Sequence, residues 1–220
     1  MPAVFRVLWF AGFGKEPEVK TRTLIALMLA CALPLAAAQA AKGKAKKVSR
    51  DYANTIATLQ TDMGDIQIKF LYDKAPRHVE NFVDLSASGF YDGTLFHRVI
   101  PGFMVQGGDP NTKKAEDAAH PWGTGGNGTN HVKAEFNDTS HKRGIVSMAR
   151  ASDPNSASSQ FFIVVKDSTF LDGQYSAFGE VISGMEVADK IAAAPRGAND
   201  RPNQPIHIKK VLLSQAKSTS

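Results

Sequence analysis

The chain has 220 residues, of which 43% are hydrophobic and 21% are charged, and its formal net charge is +5. These values are typical of one globular domain with an appendage. The small net charge gives no reason to expect a nucleic-acid partner. Cys31 is the single cysteine, which excludes an intramolecular disulfide and a cysteine metal site.

Residues 20–40 have the three-part pattern of a secretory signal peptide. Lys20 and Arg22 precede an apolar run over residues 24–35, and Ala38-Gln39-Ala40 is a small-x-small cleavage site. The apolar run is shorter than the ~20 residues that a membrane span needs. We therefore expect residues 1–40 to be a leader that is cleaved near Ala40, and the mature protein to be periplasmic or secreted without stable membrane insertion. Residues 1–19 lie outside the pattern, which favours a translation start further along the chain.

Cys31 leaves one alternative open, which is a protein anchored by a lipid on this cysteine. The preceding Met28-Leu29-Ala30 is a poor match to a lipobox. Residues 41–52 are rich in Lys and Ala and have no apolar periodicity, which predicts a flexible basic linker. The folded domain is expected over residues 53–216, followed by a short tail at 217–220.

The first part of the domain combines strands with one helix. Apolar residues alternate on both sides of a turn at 62–65, which predicts a β-hairpin that begins near Thr55. A helix is predicted over residues 73–89, with Asp73 as its N-terminal cap and Gly89 at its end. Pro76 lies in the first turn of this helix. Its apolar stripe consists of Val79, Phe82 and Val83.

Short strands dominate the rest of the domain. Strands are predicted at 95–99 and 103–106, joined by a Pro101-Gly102 turn, and at 144–149, 161–165, 177–181 and 206–213. The apolar face of the last strand changes sides after Ile208, which predicts a bulge. A second helix is predicted at 185–192, and long loops at 107–131 and 194–205. Many strands with two helices indicate a closed or nearly closed antiparallel barrel.

Residues 96–110 bring together several side chains that suit peptide recognition, in the sequence FHRVIPGFMVQGGDP. Arg98 provides a permanent charge and five hydrogen-bond donors, and Gln106 provides both a donor and an acceptor. Phe103 and Met104 provide apolar area. Two strands around a tight turn can place these side chains on one surface, and the mixture suits an apolar group beside an amide, as in a proline residue.

The same stretch closely resembles the signature of the cyclophilin family of peptidyl-prolyl isomerases. The segments SQFFI at 159–163 and FLDG at 170–173 resemble the second and third cyclophilin motifs, in the same order. The resemblance covers residues 53–213. It implies a mainly β fold, an eight-stranded antiparallel closed barrel capped by two α-helices, with a peptide groove on the outside of the barrel.

The resemblance also implies the activity and the residues that carry it. The protein is expected to be a peptidyl-prolyl cis-trans isomerase that assists the folding of exported proteins, acts on proline-containing segments of unfolded or folding chains, and needs neither cofactor nor metal. Arg98 would be the catalytic donor to the proline nitrogen. The substrate-binding residues would be Phe103, Met104, Gln106, Gly123, Thr124, Ala149, Arg150, Gln160, Phe162, Phe170, Leu171 and Tyr175. We expect a monomer.

The sequence departs from many eukaryotic cyclophilins at three of these positions. Phe170 stands where they have Trp, Tyr175 where they have His, and Arg150 where they have Asn. These residues resemble those of exported bacterial cyclophilins and keep the groove apolar. They leave isomerase activity expected and predict weak cyclosporin binding.

Other function classes have less support in the sequence. A proline-binding module or chaperone without useful turnover is the alternative, and loss of Arg98 or of the pocket aromatic residues would have favoured it. The histidines have no metal-ligand spacing such as HExxH, and no Gly-x-Ser-x-Gly elbow is present. His97 is predicted to face away from Arg98 and to be structural.

Overall fold

The structure is a computed structural model that describes residues 51–117 and 119–216. The predicted signal peptide, most of the predicted linker and the tail lie outside these residues. Within the described ranges, no helix combines the length and the hydropathy that a membrane span requires. Tyr52, at the end of the predicted linker, stacks on Tyr72 with 5.9 Å between the ring centroids.

The described chain forms one nine-stranded antiparallel sheet with two α-helices. The strand order is β3-β9-β1-β2-β8-β6-β7-β5-β4. The strands are β1 (Thr55–Thr61), β2 (Gly64–Phe70), β3 (Thr94–Leu95), β4 (Arg98–Ile100), β5 (Met104–Gly107), β6 (Ile145–Met148), β7 (Phe161–Val164), β8 (Ala177–Ser183) and β9 (His207–Gln215). The helices are α1 (Pro76–Ala87) and α2 (Met185–Ala192). The mainly β architecture with two helices agrees with the prediction.

The strand count and the closure of the barrel differ from the eight-stranded closed expectation. The single strand predicted at 95–99 is divided at Phe96 and His97 into β3, which pairs with β9, and β4, which pairs with β5. The two terminal strands of the sheet are therefore consecutive in the chain. Within the described ranges no ladder joins β3 directly to β4, and the backbone itself connects the two ends of the curled sheet.

The last strand contains the predicted bulge. Gln60 of β1 pairs with Lys210, whereas its neighbour Thr61 pairs with Ile208, so Lys209 is an extra residue in β9. An extra residue reverses the inward and outward positions that follow it. This explains why the apolar face of the sequence changes sides after Ile208.

Helix α1 is shorter than predicted, and Asp73 does not cap it. The helix begins at Pro76 after Ala75, which makes no side-chain capping bond. Instead Glu135 accepts hydrogen bonds from the backbone N–H groups of Arg77 (3.1 Å) and His78 (3.0 Å). A carboxylate from a distant loop thus satisfies donors that a helix N-terminus leaves open, and its charge suits the helix dipole.

The main core fills the space between the sheet and the helices. Val79, Phe82 and Val83 of α1 are fully buried, as the apolar stripe predicted. Val187, Ala188 and Ile191 of α2 are buried as well. The ring of Phe82 contacts that of Phe161 edge-to-face, with 5.3 Å between the centroids. These contacts place both helices against the sheet on faces that the sequence identified.

Candidate active site

Strand register places three of the predicted functional residues, Arg98, Gln106 and Phe162, in one row on the outer face of the sheet. Arg98 of β4 lies opposite Gln106 of β5, Gln106 lies opposite Phe162 of β7, and Phe162 lies opposite Ser147 of β6. Side chains alternate between the two faces of a strand. The next row, formed by Val99, Val105, Ile163 and Val146, faces inward and is fully buried in the main core. We call these two rows the outer row and the inner row.

A second apolar cluster covers the outer face beside the outer row and is separate from the main core. Its buried members are Met104, Phe162, Val164 and Leu171, and the partly buried members are Ile100, Phe103, Ala149 and Tyr175. The Pro101-Gly102 turn contributes to this arrangement because Gly102 has φ of +71°, a conformation that glycine adopts readily. Phe103 donates its backbone N–H to the carbonyl of Ile100 across the turn, at 3.0 Å. The outer face therefore has an apolar pocket next to a guanidinium and a carboxamide.

This pocket belongs to a groove with a volume of about 610 Å³. Of the residues that the sequence singled out, those that line the groove are Arg98, Phe103, Met104, Gln106, Gly123, Ala149, Arg150, Phe162, Leu171 and Tyr175. They come from three separated parts of the chain. The fold thus assembles in one groove most of the residues that the family motifs indicated.

Gln106 is held by a network of amide hydrogen bonds. Its side-chain nitrogen donates to the side-chain oxygen of Gln160 at 2.9 Å. Gln160 in turn donates to the backbone carbonyls of Gly123 (3.0 Å) and Gly125 (2.8 Å). Gln106, Gln160 and the glycine-rich loop are therefore fixed relative to one another before any ligand binds.

A buried carboxylate shapes the glycine-rich loop on that side of the groove. Asp109 has no exposed surface and accepts hydrogen bonds from the backbone N–H groups of Asn111 (2.8 Å), Gly123 and Gly125 (3.3 Å). A Cβ atom on Gly125 would lie 2.1 Å from an oxygen of Asp109. Only glycine allows the backbone to approach the carboxylate this closely.

Sequence and structure comparisons agree on the family of this domain. Residues 56–212 match the family of cyclophilin type peptidyl-prolyl cis-trans isomerases. This match spans more than half of the chain. The chain belongs to the cyclophilin family. It is accordingly a peptidyl-prolyl cis-trans isomerase.

Individual relatives support this assignment. A probable peptidyl-prolyl cis-trans isomerase of Brucella abortus is 40% identical over 195 residues, which cover 87% of this chain and 95% of the relative. Peptidyl-prolyl cis-trans isomerase A of Dickeya dadantii is 45% identical over 170 residues, 74% of this chain and 84% of the relative. A cyclophilin type isomerase of Cryptosporidium parvum, crystallised in the presence of the dipeptide Ala-Pro, superposes with a TM-score of 0.66. It is 33% identical and covers 73% of this chain and 99% of its own.

Arg150 of this cyclophilin is bound to its own chain. Its guanidinium donates to the backbone carbonyls of Ala151 (2.9 Å) and Gln174 (3.2 Å). It also lies over the ring of Tyr175, 4.8 Å from the centroid. Arg150 therefore connects the loops on that wall of the groove, and its side chain has few donors left for a peptide.

Three of the predicted site residues lie outside the main groove. Thr124 and Gln160 line an adjoining cavity of about 400 Å³, which shares Gln106, Gly123, Ala149 and Arg150 with the groove. Phe170 lies on the rim, where it is 65% exposed and its ring centroid is 5.4 Å from that of Phe103. The resemblance grouped these residues with the groove, whereas the structure places them at its margins.

The structure adds groove residues that the sequence reading missed. At the end beyond Arg98, the guanidinium of Arg201 lies 4.6 Å from the centroid of the Trp122 ring and makes a bidentate ion pair with Glu116. The hydrogen bond from Arg201 lowers the pKa of Glu116. Asp200 lines the same end. These residues come from the loops at 107–131 and 194–205, whose sequences have no periodicity that would have marked them.

Beneath the apolar pocket a chain of hydrogen bonds joins Ser147, His141 and Asp172. Nε2 of His141 lies 3.0 Å from the hydroxyl of Ser147, and Nδ1 lies 2.9 Å from Asp172. The backbone N–H of His141, which donates to Asp172, lowers the pKa of this carboxyl. Ser147 and His141 are buried, and the imidazole stacks on Phe162. The arrangement supports the floor of the pocket and offers no accessible nucleophile.

Proposed function

We propose that this cyclophilin accelerates Xaa-Pro isomerisation in exported proteins, with Arg98 as the catalytic donor and the second apolar cluster as the proline pocket. The observation that carries the catalytic assignment is the row in which Arg98 lies opposite Gln106, which in turn lies opposite Phe162. The substrate class is a proline-containing segment of an unfolded or folding chain. The pattern of a secretory leader in residues 20–40 supports the exported location.

The reaction needs electrostatic help rather than a nucleophile. The peptide bond resists rotation because its C–N bond has partial double-bond character, with a barrier of about 18–20 kcal/mol. In the twisted transition state the proline nitrogen becomes pyramidal and can accept a hydrogen bond, which it cannot do in the planar ground state. A positioned donor therefore stabilises the transition state selectively, and such selectivity raises kcat.

Arg98 fits this role by position and charge. Its guanidinium is positively charged and presents several donors in a fixed plane. The side chain is 43% exposed, so it faces the groove rather than the core. Phe103, Met104, Phe162 and Leu171 would receive the proline ring, and Gln106 would hold the substrate carbonyl.

The decisive experiment compares wild type with Arg98→Ala and Arg98→Lys in a protease-coupled assay on an Xaa-Pro peptide. We expect Arg98→Ala to fold normally and to lose on the order of 10²–10³ in kcat, as when one transition-state donor is removed elsewhere. Arg98→Lys should recover part of the rate, because an ammonium lacks the planar fork of guanidinium. Circular dichroism on the same preparations verifies the fold. A folded Arg98→Ala protein with near-wild-type kcat would refute the role of Arg98.

The proposed location has its own test. Intact-mass measurement of the protein from its native host should give a mature chain that begins at Ala41, since Ala38-Gln39-Ala40 matches the small-x-small pattern of a cleavage site. A mature chain that retains residues 24–35, or that carries acyl groups on Cys31, would contradict cleavage after Ala40. Neither result would affect the assignment of Arg98.

A further inference from the structure

The loop that follows α2 carries a carboxylate to the catalytic end of the groove. Oδ2 of Asp200 lies 3.5 Å from Nε of Arg98. Within the described ranges, Asp200 is the only charged group at ion-pair distance from this guanidinium. Its other oxygen, Oδ1, lies 3.2 Å from Nε of Arg196, which is a second, partly solvent-exposed ion pair.

The backbone at this place is in an unfavourable conformation. Asn199 has φ of +59° and Asp200 has φ of +57°, and among the described residues they are the only non-glycine residues with positive φ. Left-handed backbone is costly for residues with a side chain, although Asn and Asp tolerate it best. Such strain persists where the surrounding structure imposes it, and it concentrates at functional sites.

Several contacts outside the strained pair impose this conformation. Arg201 is fixed by its ion pair with Glu116 and by the Trp122 ring. The backbone N–H of Gly197 donates to the carbonyl of Arg201 at 2.8 Å, and that of Asn203 donates to Pro195 at 2.7 Å. The two backbone hydrogen bonds close the turn, and the contacts of Arg201 fix the residue that follows Asp200. Together they direct the Asp200 side chain at Arg98.

We infer that Asp200 is a positioning residue for catalysis, which holds the Arg98 guanidinium by its Nε edge and leaves the terminal N–H groups for the substrate. This inference rests on the proposed role of Arg98. An arginine side chain has many rotamers, and a donor that must meet a developing lone pair gains from being oriented beforehand. The contact at Nε is compatible with this because the guanidinium has four further N–H groups on its terminal nitrogens.

The test uses Asp200→Asn, which keeps the size of the side chain and its tolerance of left-handed backbone but removes the charge. Both side chains are partly exposed, so the ion pair is a weak one, and we expect kcat to fall about threefold to fivefold with KM nearly unchanged. Arg196→Gln is the matched control, because it removes the other partner of Asp200 and leaves the carboxylate beside Arg98. It should retain wild-type kcat.

Asp200→Gly separates function from folding. Glycine relieves the left-handed strain, so this variant should unfold at a temperature equal to or above that of wild type while its kcat falls as in Asp200→Asn. A merely structural role for Asp200 predicts the opposite pairing, in which lower activity accompanies lower stability. Thermal unfolding followed by circular dichroism decides between them.

Asp200→Asn in an Arg98→Lys background shows whether Asp200 acts through the guanidinium. The loss of kcat should be smaller there, since an ammonium has no planar fork to orient. Equal fold losses in both backgrounds, or an unchanged kcat in Asp200→Asn, would overturn the positioning role. If Arg98→Ala is inactive while Asp200→Asn is fully active, this inference alone fails. If Arg98→Ala is fully active, both this inference and the proposed catalytic role of Arg98 fail.

Discussion

The inner row and the outer row are formed by the same four strands, yet their chemistry is opposite. The inner row, Val99, Val105, Ile163 and Val146, consists of β-branched side chains without exposed surface. The outer row, Arg98, Gln106, Phe162 and Ser147, combines a charge, a carboxamide, an aromatic ring and a hydroxyl. Because the side-chain period of a strand is two, one backbone supports both rows. The side chains of the inner row hold the strands in register through core packing, and this register determines where the side chains of the outer row lie.

The largest expected effect comes from the inner row. Ile163→Ala removes buried volume from the main core and should lower the free energy of unfolding by about 2–5 kcal/mol. The kcat of the molecules that remain folded should hardly change, because the outer row keeps its register. Urea unfolding and isomerase assays below the transition test both statements. A stable Ile163→Ala protein with low kcat would show that the two rows are not separable in this way.

In the outer row, Gln106→Ala should have the reverse profile. The hydrogen bond to Gln160 and the proposed bond to the substrate carbonyl are both lost. We expect kcat/KM to fall by up to about tenfold and stability to change little, since a hydrogen bond contributes about 1 kcal/mol. Val105→Ala, the neighbouring position on the inner face, is the control and should change stability instead. Equal activity in wild type and Gln106→Ala would show that Gln106 has no role in the reaction.

At the rim of the outer face, Phe170→Trp should strengthen cyclosporin binding. Phe170 is 65% exposed beside Phe103, so an indole fits without repacking and adds apolar area and one N–H donor. A gain of up to about tenfold in affinity corresponds to the usual contribution of an aromatic contact. Titration of wild type and variant measures it. Tight and equal binding by both proteins would show that Phe170 is not a contact for the drug.

The smallest expected effect is a change of stability with pH, and it involves His97, which lies between β3 and β4. Burial lowers the pKa of His97, and it lowers the pKa of His78 as well. In the unfolded chain both imidazoles take up protons as the pH falls below about 6.5, whereas the folded protein resists doing so. The unfolded state then binds more protons, so stability must fall with pH in this range.

Unfolding temperatures measured between pH 7.5 and pH 5.5 test this, because carboxyl groups with lowered pKa values titrate below that window. We expect the unfolding temperature of wild type to decrease toward pH 5.5, and that of His97→Asn to decrease less. A flat profile in wild type would contradict the expected effect of histidine burial.

The sequence predicted those features that depend on neighbouring residues. Alternation predicted the hairpin of β1 and β2 and the bulge in β9, helical spacing predicted the stripe of α1, and the motifs identified Arg98, Gln106 and Phe162 of the outer row. It did not predict that Glu135 would cap α1 in place of Asp73, since the two groups are far apart in the chain. The contact between Asp200 and Arg98 was missed for the same reason. Tertiary contacts of this kind leave no local pattern.

The short terminal strands of the sheet have a consequence for how the sheet edge meets other chains. An exposed sheet edge can capture another strand by backbone hydrogen bonding and so seed aggregation. Here β3 has two residues and β4 has three, and the N–H of Leu95 is already occupied by the hydroxyl of Thr112 at 2.9 Å. The terminal strands of this sheet therefore offer few free backbone groups with which another chain could pair.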